Sequence, residues 1–399
     1  MSAFKKINMM EATRLTREGR LNEAMRVLCG DLMEVSGSGT NTARTGNTAL
    51  SPSASLPRRT VPDTARTSNM ERFDMGETSE PGAEIQQRFH GLIAGLGQIR
   101  GPVGLGDLTG PEMRVPITVP EGARFEARNY ANSAGSRAYK LFIPSGFVGQ
   151  SVPLLVMLHG CRQSPDDFAV GTRMNELAEQ HTLLVAYPAQ STAANSSKCW
   201  NWFKASDQER DQGEPSLIAG ITREIIREFN VAPARVAIAG LSAGGAAAAI
   251  MGASYPDLFA AIGVHSGLAC GAALDMPSAF QAMRMGARDL RRRGAVRTIV
   301  FHGDKDMTVS SVNGDQVIAQ SGSARNLGIS VCQGQSRDGV RYTRTVHTDE
   351  SGHETMEQWM IHGLGHAWSG GSPAGSYTDP HGPDASREML RFFFQIRED

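Results

Sequence analysis

The residues of this sequence best suited to covalent chemistry are the five from Gly240 to Gly244, which read Gly-Leu-Ser-Ala-Gly. They follow a short apolar run at 235–239 and precede a stretch of small apolar residues at 243–251. This order predicts that Ser242 lies on a corner between a strand and a helix, where flanking glycines remove Cβ atoms that would collide. The alternative is an ordinary glycine-rich turn, because a pattern this short also recurs by chance.

A carboxylate that could orient a histidine base lies in the loop after residues 298–301, which are predicted to form a strand. The loop offers Asp304 and Asp306. An aspartate just past a strand end can fix the tautomer of a histidine and stabilise the imidazolium that forms. The pattern favours Asp306, as an acid that follows a Gly-Asp-x step, and leaves Asp304 as a loop or cap carboxylate.

Two histidines follow a strand-like segment at 355–361. His366, flanked by glycine and small residues, is the predicted base, and His362 is predicted to be a strand-end side chain with its own backbone partner. Ser242, Asp306 and His366 then occur in the order nucleophile, acid, base. This is the chain order of α/β-hydrolases.

An oxyanion hole for this chemistry needs two N–H donors near Ser242. The backbone N–H of Ala243 follows the serine at a predicted helix N-terminus, and that of Cys161 lies in the loop after the strand predicted at 152–158. These two amides are therefore the predicted donors.

Trp200, Trp202 and Trp368 are candidates for lining a cleft, and Asn201 could donate a hydrogen bond to an acyl group. Aromatic walls suit an apolar chain of ester units. Simpler explanations exist, because large aromatic residues more often belong to the core and Asn201 could cap a turn. The charged run at 207–214 is predicted to be a solvated loop with an N-cap and no catalytic role.

Strands and helices alternate around these residues. The predicted strands are 137–143, 152–158, 183–187, 235–239, 261–264, 298–301 and 355–361, and the predicted helices are 166–180, 216–229, 243–251 and 279–293. The alternation predicts an α/β fold with a mostly parallel central sheet and helices on both faces. Ligands of such sheets bind above the carboxyl ends of the strands.

The sequence before residue 125 has a different character. Residues 1–34 show apolar residues at helical spacing on both sides of Gly19, which predicts a short helical hairpin. Residues 35–124 are poor in large apolar side chains and are predicted to be a low-complexity, largely disordered linker. The catalytic domain is predicted to span 125–399.

The composition excludes several classes of protein. The 399 residues are 40% hydrophobic and 20% charged, with a formal net charge of −1. This balance gives no electrostatic reason to expect nucleic acid or an anionic membrane as a partner. No stretch approaches the roughly 18 apolar residues of a membrane span, and the first residues lack the apolar core of a signal peptide. The expected location is cytoplasmic.

The five cysteines are widely spread and lack metal-ligand spacing. In a chain without a visible export signal, this favours reduced, partly buried thiols. The alternative is a bridge between Cys161 and Cys199, since both would lie in loops above the same edge of the sheet.

Six segments carry further motifs: Leu158–Ser164, Cys199–Phe203, Gly213–Ser216, Gly240–Gly245, Phe301–Asp304 and Gly363–Gly371. Together they resemble the polyhydroxyalkanoate (PHB) depolymerase family of serine esterases, over about residues 125–397. Several motifs in one chain are far more selective than the serine motif alone.

The resemblance implies an α/β-hydrolase fold and hydrolysis of short-chain polyhydroxyalkanoates, oligomers or small esters through an acyl-enzyme, without a cofactor or metal. The family is close to feruloyl and acetylxylan esterases, so a carbohydrate esterase is the alternative. A third hypothesis is a non-catalytic protein of the same fold, docked to a granule or a partner protein by the hairpin. Many members are secreted, which makes secretion the alternative location.

Overall fold

The computed structural model of the protein describes residues 117–396 except 289, 291–295 and 323–327. The hairpin predicted at 1–34 and all but the last residues of the linker predicted at 35–124 lie outside the described residues.

Strands and helices alternate along the described chain. The strands are β1 (Arg124–Asn132), β2 (Gly135–Ile143), β3 (Val152–Leu158), β4 (Leu184–Pro188), β5 (Val231–Leu241), β6 (Ala261–His265), β7 (Arg297–Gly303), β8 (Gly328–Gln335), β9 (Arg341–Thr348), β10 (Glu354–Ile361), β11 (Trp368–Ser369) and β12 (Thr378–Asp379). The helices are α1 (Pro165–Thr172), α2 (Met174–His181), α3 (Gly213–Glu228), α4 (Ala243–Ser254), α5 (Met276–Met285), α6 (Val312–Ser321) and α7 (Ala385–Phe394).

Ten of these strands form one sheet in the order β1-β2-β4-β3-β5-β6-β7-β10-β9-β8. The six central strands, β4, β3, β5, β6, β7 and β10, pair in parallel with one another. The remaining pairings, β1 with β2, β2 with β4, β10 with β9 and β9 with β8, are antiparallel. Parallel neighbours require crossover connections, which here are helical and cover the sheet. The predicted α/β fold with a mostly parallel central sheet is confirmed.

The sheet separates two apolar cores. Leu154, Val156 and Leu158 of β3 pack with α3 and α4 on one face, whereas Leu155 and Met157 pack with α1, α2 and α7 on the other. Successive side chains of a strand point to opposite faces, so a strand buried on both sides needs an unbroken apolar run. Every residue of β3 is buried, as this rule requires.

Several predicted boundaries were wrong. The single helix predicted at 166–180 is two helices, because Arg173 between them adopts a left-handed conformation with φ of 56°. Helix α3 begins after Gln212, and Ser216 lies inside it rather than at its cap. The edge strands β1 and β8, and β9 beside β8, were not predicted. No helix among the described residues has both the length and the apolar character needed to cross a bilayer.

The parallel strands bring the predicted chemical groups to one edge. Ser242 follows β5, Asp306 follows β7 and His366 follows β10. These strands run in the same direction, so all three residues leave the sheet at its carboxyl edge. Ligands of such sheets bind at this edge.

Candidate active site

Ser242 lies on a strained turn between β5 and α4, with φ of 58° and ψ of −118°. Its backbone N–H donates to the carbonyl of His265 at 2.8 Å. A Cβ atom at Gly244 would lie 2.0 Å from the Leu158 carbonyl oxygen, and one at Gly240 would lie 2.4 Å from the Gly244 carbonyl oxygen. Only glycine fits at either position, which explains the spacing of the motif.

Asp306 is hydrogen bonded to His366, with 2.7 Å between Oδ2 and Nδ1. Its other oxygen, Oδ1, accepts the backbone N–H groups of Thr308 at 2.9 Å and Val309 at 2.8 Å. Burial by itself raises the pKa of this carboxyl, but the hydrogen bonds from His302, His366 and Val309 hold the pKa well below its ordinary value. Asp306 is therefore a carboxylate that fixes the His366 Nδ1 proton and leaves Nε2 as the nitrogen available for proton transfer.

His366 and Ser242 do not form a hydrogen bond with each other in this structure. Ser242 is half-buried, and the His366 side chain keeps 12% of its surface exposed. Catalytic hydrogen bonds are often long in an unliganded enzyme and tighten when substrate binds. The structure thus pairs Asp306 with His366 and brings Ser242 to the same edge of the sheet.

The loop after β3 lies directly beside Ser242. A Cβ atom at Gly160 would be 3.7 Å from the Ser242 Cβ atom. Gln163 fixes this loop, because its Oε1 accepts the Gly160 N–H at 2.9 Å while its Nε2 donates to Asp167 at 3.0 Å. Among the described residues, the N–H groups of Cys161 and Ala243 donate to no acceptor. Both amides are therefore available to an oxyanion.

Cys161 and Cys199 form a disulfide. The favoured prediction of reduced thiols was wrong for this pair, and the alternative bridge is the one observed. The bond joins the loop after β3 to the segment 199–203. The bridge forms because the two cysteines lie close together in the fold. Their spacing along the sequence does not reveal this proximity.

All three tryptophans expected to line a cleft are buried in the core. Trp200 and Trp368 are fully buried, and their indole N–H groups donate to the His159 carbonyl and to Ser386 Oγ, each at 3.0 Å. The expectation for these two is corrected, since a buried indole with a satisfied N–H offers no surface to a substrate. Trp202 retains 7% exposure and packs edge-on against Phe203.

Asn201 is buried, and its amide is not available to an acyl group. Its backbone N–H and its Nδ2 donate to the two carboxylate oxygens of Glu214 at 2.8 and 2.7 Å. The role predicted for Asn201 as a donor to substrate is therefore corrected. It anchors the segment 199–203 instead.

Glu214 was predicted to belong to a solvated loop, and this was wrong. The side chain is buried, accepts hydrogen bonds from Asn201 and Gln190, and lies 3.6 Å from Arg137. Burial raises its pKa, and the nearby Asp207 charge raises it further, while the donors oppose this shift. Its partners come from three distant parts of the chain, so local sequence carries no signal for the cluster.

Asp304 and His362 form a second pair, 3.0 Å apart between Oδ2 and Nδ1. Asp304 also accepts the Gly363 N–H at 2.8 Å, consistent with a loop carboxylate, and His362 Nε2 lies 2.9 Å from Thr343 Oγ1. The partners of the His362 ring are thus side chains rather than the backbone group that was predicted.

His302 is a residue near the site that was not among the predicted site residues. Its Nε2 donates to the Val309 carbonyl at 2.9 Å and lies 3.5 Å from Asp306 Oδ2. The ring is fully buried. The sequence feature that could have identified His302 is its position directly before Gly303 in the Phe301–Asp304 motif.

Comparison with known proteins identifies one matching family. The sequence model of the family described as "Esterase PHB depolymerase" matches residues 137–344, more than half of the chain. The matched range includes Ser242 and Asp306 and ends before His366.

Similar proteins include depolymerases and carbohydrate esterases. Poly(3-hydroxyalkanoate) depolymerase C of Paucimonas lemoignei is 30% identical over 255 residues, 60% of this chain and 61% of that protein. Probable acetylxylan esterase A of Aspergillus clavatus is 26% identical over 162 residues, 40% of this chain and 51% of that protein. The chain thus spans between 51 and 61% of the length of these relatives. An acetyl xylan esterase from Aspergillus awamori superposes with a TM-score of 0.46 at 19% identity, over 58% of this chain and 89% of that one.

Proposed function

Because the chain belongs to the esterase PHB depolymerase family, we propose that it is a serine esterase that hydrolyses short-chain polyhydroxyalkanoates, polymers or oligomers of the poly-3-hydroxybutyrate type. The main support is the 2.7 Å hydrogen bond between His366 and the buried Asp306, at the sheet edge where Ser242 occupies a strained turn. This arrangement suits acyl transfer through a covalent intermediate.

In the first half of the proposed reaction, His366 Nε2 takes the Ser242 proton as Oγ attacks the ester carbonyl carbon. The Cys161 and Ala243 amides bind the oxyanion of the tetrahedral intermediate. The intermediate collapses when the ester C–O bond breaks, and the imidazolium gives its proton to the departing alkoxide. Asp306 stabilises the imidazolium between these two transfers.

In the second half, water replaces the alcohol. The water attacks the carbonyl carbon of the acyl-enzyme while His366 removes its proton, and the same two amides bind the new oxyanion. The C–O bond to Ser242 then breaks, the serine recovers its proton from His366, and the acid product leaves. Apart from the substrate and this water, every group in the mechanism belongs to the chain, so the mechanism requires no cofactor or metal.

A test of the nucleophile compares wild type with Ser242→Ala on p-nitrophenyl butyrate. We expect the variant to lose about 10⁶-fold in kcat, as other serine hydrolases do on loss of the nucleophile. Ser254→Ala is a matched control at the far end of α4, where the hydroxyl donates to the Gln208 carbonyl. Equal rates for wild type and Ser242→Ala would overturn the proposed function.

The alternative substrate class is a feruloyl or acetyl ester of a carbohydrate, favoured by the similarity to an acetylxylan esterase. Rates on hydroxybutyrate oligomers, methyl ferulate and acetylated xylan, measured side by side, distinguish the two. A higher kcat/KM for either carbohydrate ester than for every oligomer would assign the chain to the alternative.

The disulfide bears on where the protein works. Disulfides persist in oxidising compartments and are rare in the cytosol. The Cys161–Cys199 bond thus supports secretion over the cytoplasmic location expected from sequence. Fractionation of the native host, with the full-length chain followed by antibody, tests this: recovery only from the cytosol would contradict secretion.

The domain organisation is also part of the proposal: a helical hairpin at 1–34, a linker at 35–124 and a catalytic domain at 125–399. The hairpin is proposed to dock the enzyme to a granule or a partner protein. Removal of residues 1–80 should leave the rate on p-nitrophenyl butyrate unchanged and abolish the docking. Loss of activity, or unchanged docking, would contradict this division.

A further inference from the structure

Strand β6 lies between β5, which leads to Ser242, and β7, which leads to Asp306. Its last residue, His265, is fully buried at the carboxyl edge. His265 is therefore placed between the elements that carry the three proposed catalytic residues. His265 belongs neither to the Gly240–Gly244 motif nor to the Gly363–Gly371 motif, so the sequence motifs did not predict a role for it.

His265 contacts both the nucleophile turn and the segment after the proposed base. Its carbonyl oxygen accepts the Ser242 N–H at 2.8 Å. Its ring Nε2 accepts the backbone N–H of Ser369, three residues after His366, at 3.0 Å. One residue thus joins the turn that holds Ser242 to the segment that holds His366.

Two aromatic neighbours stack on the His265 ring. The ring stacks on Trp368, with 5.0 Å between centroids and 26° between planes, and on Phe301, with 5.8 Å and 13°. Phe301 belongs to β7, and its carbonyl oxygen accepts the Ser266 N–H at 2.9 Å. The strand that precedes Asp306 is thereby part of the same assembly.

The hydrogen bonds define the protonation state of the ring. Because Nε2 accepts an N–H, the proton lies on Nδ1, which donates to Ser266 Oγ at 3.2 Å. Burial lowers the pKa of His265 well below its ordinary value, so the ring is neutral at physiological pH. A neutral ring can accept from Ser369, whereas a protonated ring cannot.

We propose that His265 is a positioning residue, whose Nε2 bond to the Ser369 N–H sets the separation between the Ser242 turn and the segment that carries His366. The proposal rests on the proposed function, because it concerns the geometry of that catalytic site. His265 itself touches neither substrate nor the reacting atoms. Its effect is to hold the base within reach of the serine.

The main test compares two variants whose side chains differ in length. In His265→Gln the amide oxygen can lie near the former Nε2 position and accept from Ser369, whereas the shorter side chain in His265→Asn cannot reach that N–H. Both lack the ring, so the comparison isolates the hydrogen bond from the stacking. His265→Phe is the complementary variant, which keeps a stacked ring and removes the acceptor.

A misplacement of about 1 Å remote from the chemistry can lower a rate about 10²-fold. We therefore expect kcat on p-nitrophenyl butyrate to fall roughly 10- to 100-fold in His265→Asn and His265→Phe, with KM nearly unchanged. His265→Gln should recover most of this loss. Thr222→Val, which removes a buried hydroxyl from α3, is the control for a loss of stability alone.

A second measurement follows the serine directly. Diethyl p-nitrophenyl phosphate reacts with an activated serine: His366 takes the Oγ proton, a bond forms between Oγ and phosphorus, and p-nitrophenolate leaves with the P–O electron pair. The inactivation rate should fall in parallel with kcat in His265→Asn and His265→Phe. A structural role alone would lower Tm and leave the rate per folded molecule unchanged.

The possible failures are distinguishable. If Ser242→Ala matches wild type, the proposed function fails, and the positioning role fails with it. If Ser242→Ala is inactive but folded His265→Asn keeps wild-type kcat and inactivation rate, only the positioning role is overturned. Equal losses in the Gln and Asn variants would overturn it as well. If His265→Phe does not fold, the Gln and Asn pair still decides the matter.

Discussion

Two histidine–aspartate pairs lie side by side at the carboxyl edge of the sheet. His366 binds Asp306 and His362 binds Asp304, in each case through Nδ1 and a carboxylate oxygen, at 2.7 and 3.0 Å. The acids come from one loop and the histidines from another. By residue type and distance alone, the two pairs are nearly equivalent.

The pairs differ in burial and in what the second ring nitrogen contacts. The Asp306 side chain is 0% exposed and that of His366 12%, whereas those of Asp304 and His362 are both 34% exposed. His362 Nε2 lies against Thr343 Oγ1 at 2.9 Å, but His366 Nε2 has no hydrogen-bond partner among the described residues. The proposed base needs this nitrogen free to take the proton of Ser242.

The comparison shows that a histidine–carboxylate hydrogen bond alone does not define a base. Exposed ion pairs contribute little because water screens them, whereas a buried carboxylate held by several donors keeps its charge and orients its partner. The Asp306 pair has these properties, and the Asp304 pair connects two loops.

The largest expected difference between the pairs is in the histidines. His366→Gln should lower kcat on p-nitrophenyl butyrate about 10⁴- to 10⁶-fold, because the proposed proton acceptor is lost. His362→Gln should stay within about fivefold of wild type, since a half-exposed ion pair contributes about 1 kcal/mol or less. Steady-state kinetics on both purified variants decide this. A similar loss of kcat in the two variants would contradict the assignment of His366, rather than His362, as the base.

The acids should differ by a smaller factor. Asp306→Asn should lower kcat about 10⁴-fold, because an amide in place of the carboxylate favours the wrong tautomer of His366. Asp304→Asn retains an oxygen that can accept the Gly363 N–H and should remain within about fivefold of wild type. The same assay measures both. A severe loss in Asp304→Asn would reveal that the loop sets the position of His366.

Acid stability should also distinguish the two carboxylates. Hydrogen bonds outweigh partial or full burial and lower the pKa of both Asp304 and Asp306, the latter well below its ordinary value. A depressed pKa contributes stability above the unfolded-state value of about 3.9, and this stability disappears as the pH falls through the folded-state pKa. Wild-type Tm should therefore drop below about pH 5.

The dependence of Tm on pH should flatten more in Asp306→Asn than in Asp304→Asn. Thermal unfolding from pH 6 down to about pH 2 is the measurement, with both variants in the same buffers. A flatter curve for Asp304→Asn would mean that the exposed pair, and not the buried one, supports the fold at neutral pH.

The smallest expected effect concerns Thr343. Thr343→Val removes the hydroxyl that His362 Nε2 contacts and should lower the free energy of unfolding by about 0.5–1.5 kcal/mol. Activity should stay at the wild-type level because His366 is untouched. Chemical denaturation and the esterase rate together provide the check, and a raised rate would indicate that His362 can itself act as a base.

The sequence predicted the centre of the molecule better than its edges. Central strands such as β3 are apolar throughout because both faces are covered, and that pattern is visible without coordinates. The outer strand β8 reads Gly-Ile-Ser-Val-Cys-Gln-Gly-Gln and is exposed almost throughout. It has no buried face to impose a pattern, so its pairing with β9 could not be predicted.

Within the site, residue spacing correctly predicted the features that depend on local structure. It did not predict the features that depend on packing between distant parts of the chain. The Ser242 turn follows from glycines that only a tight corner requires. The burial of Glu214 and of Trp200 depends on residues up to 77 positions away along the chain, such as Arg137. No local pattern encodes such neighbours, and the cleft role assigned to Trp200 was wrong for that reason.

The bond between Cys161 and Cys199 has a practical consequence for recombinant production. A host cytosol keeps thiols reduced, so enzyme made there would lack the covalent tether on the loop that holds the proposed Cys161 donor. Purified samples need a thiol titration before their turnover numbers are compared, and export to a periplasm or secretion by the host is the better route.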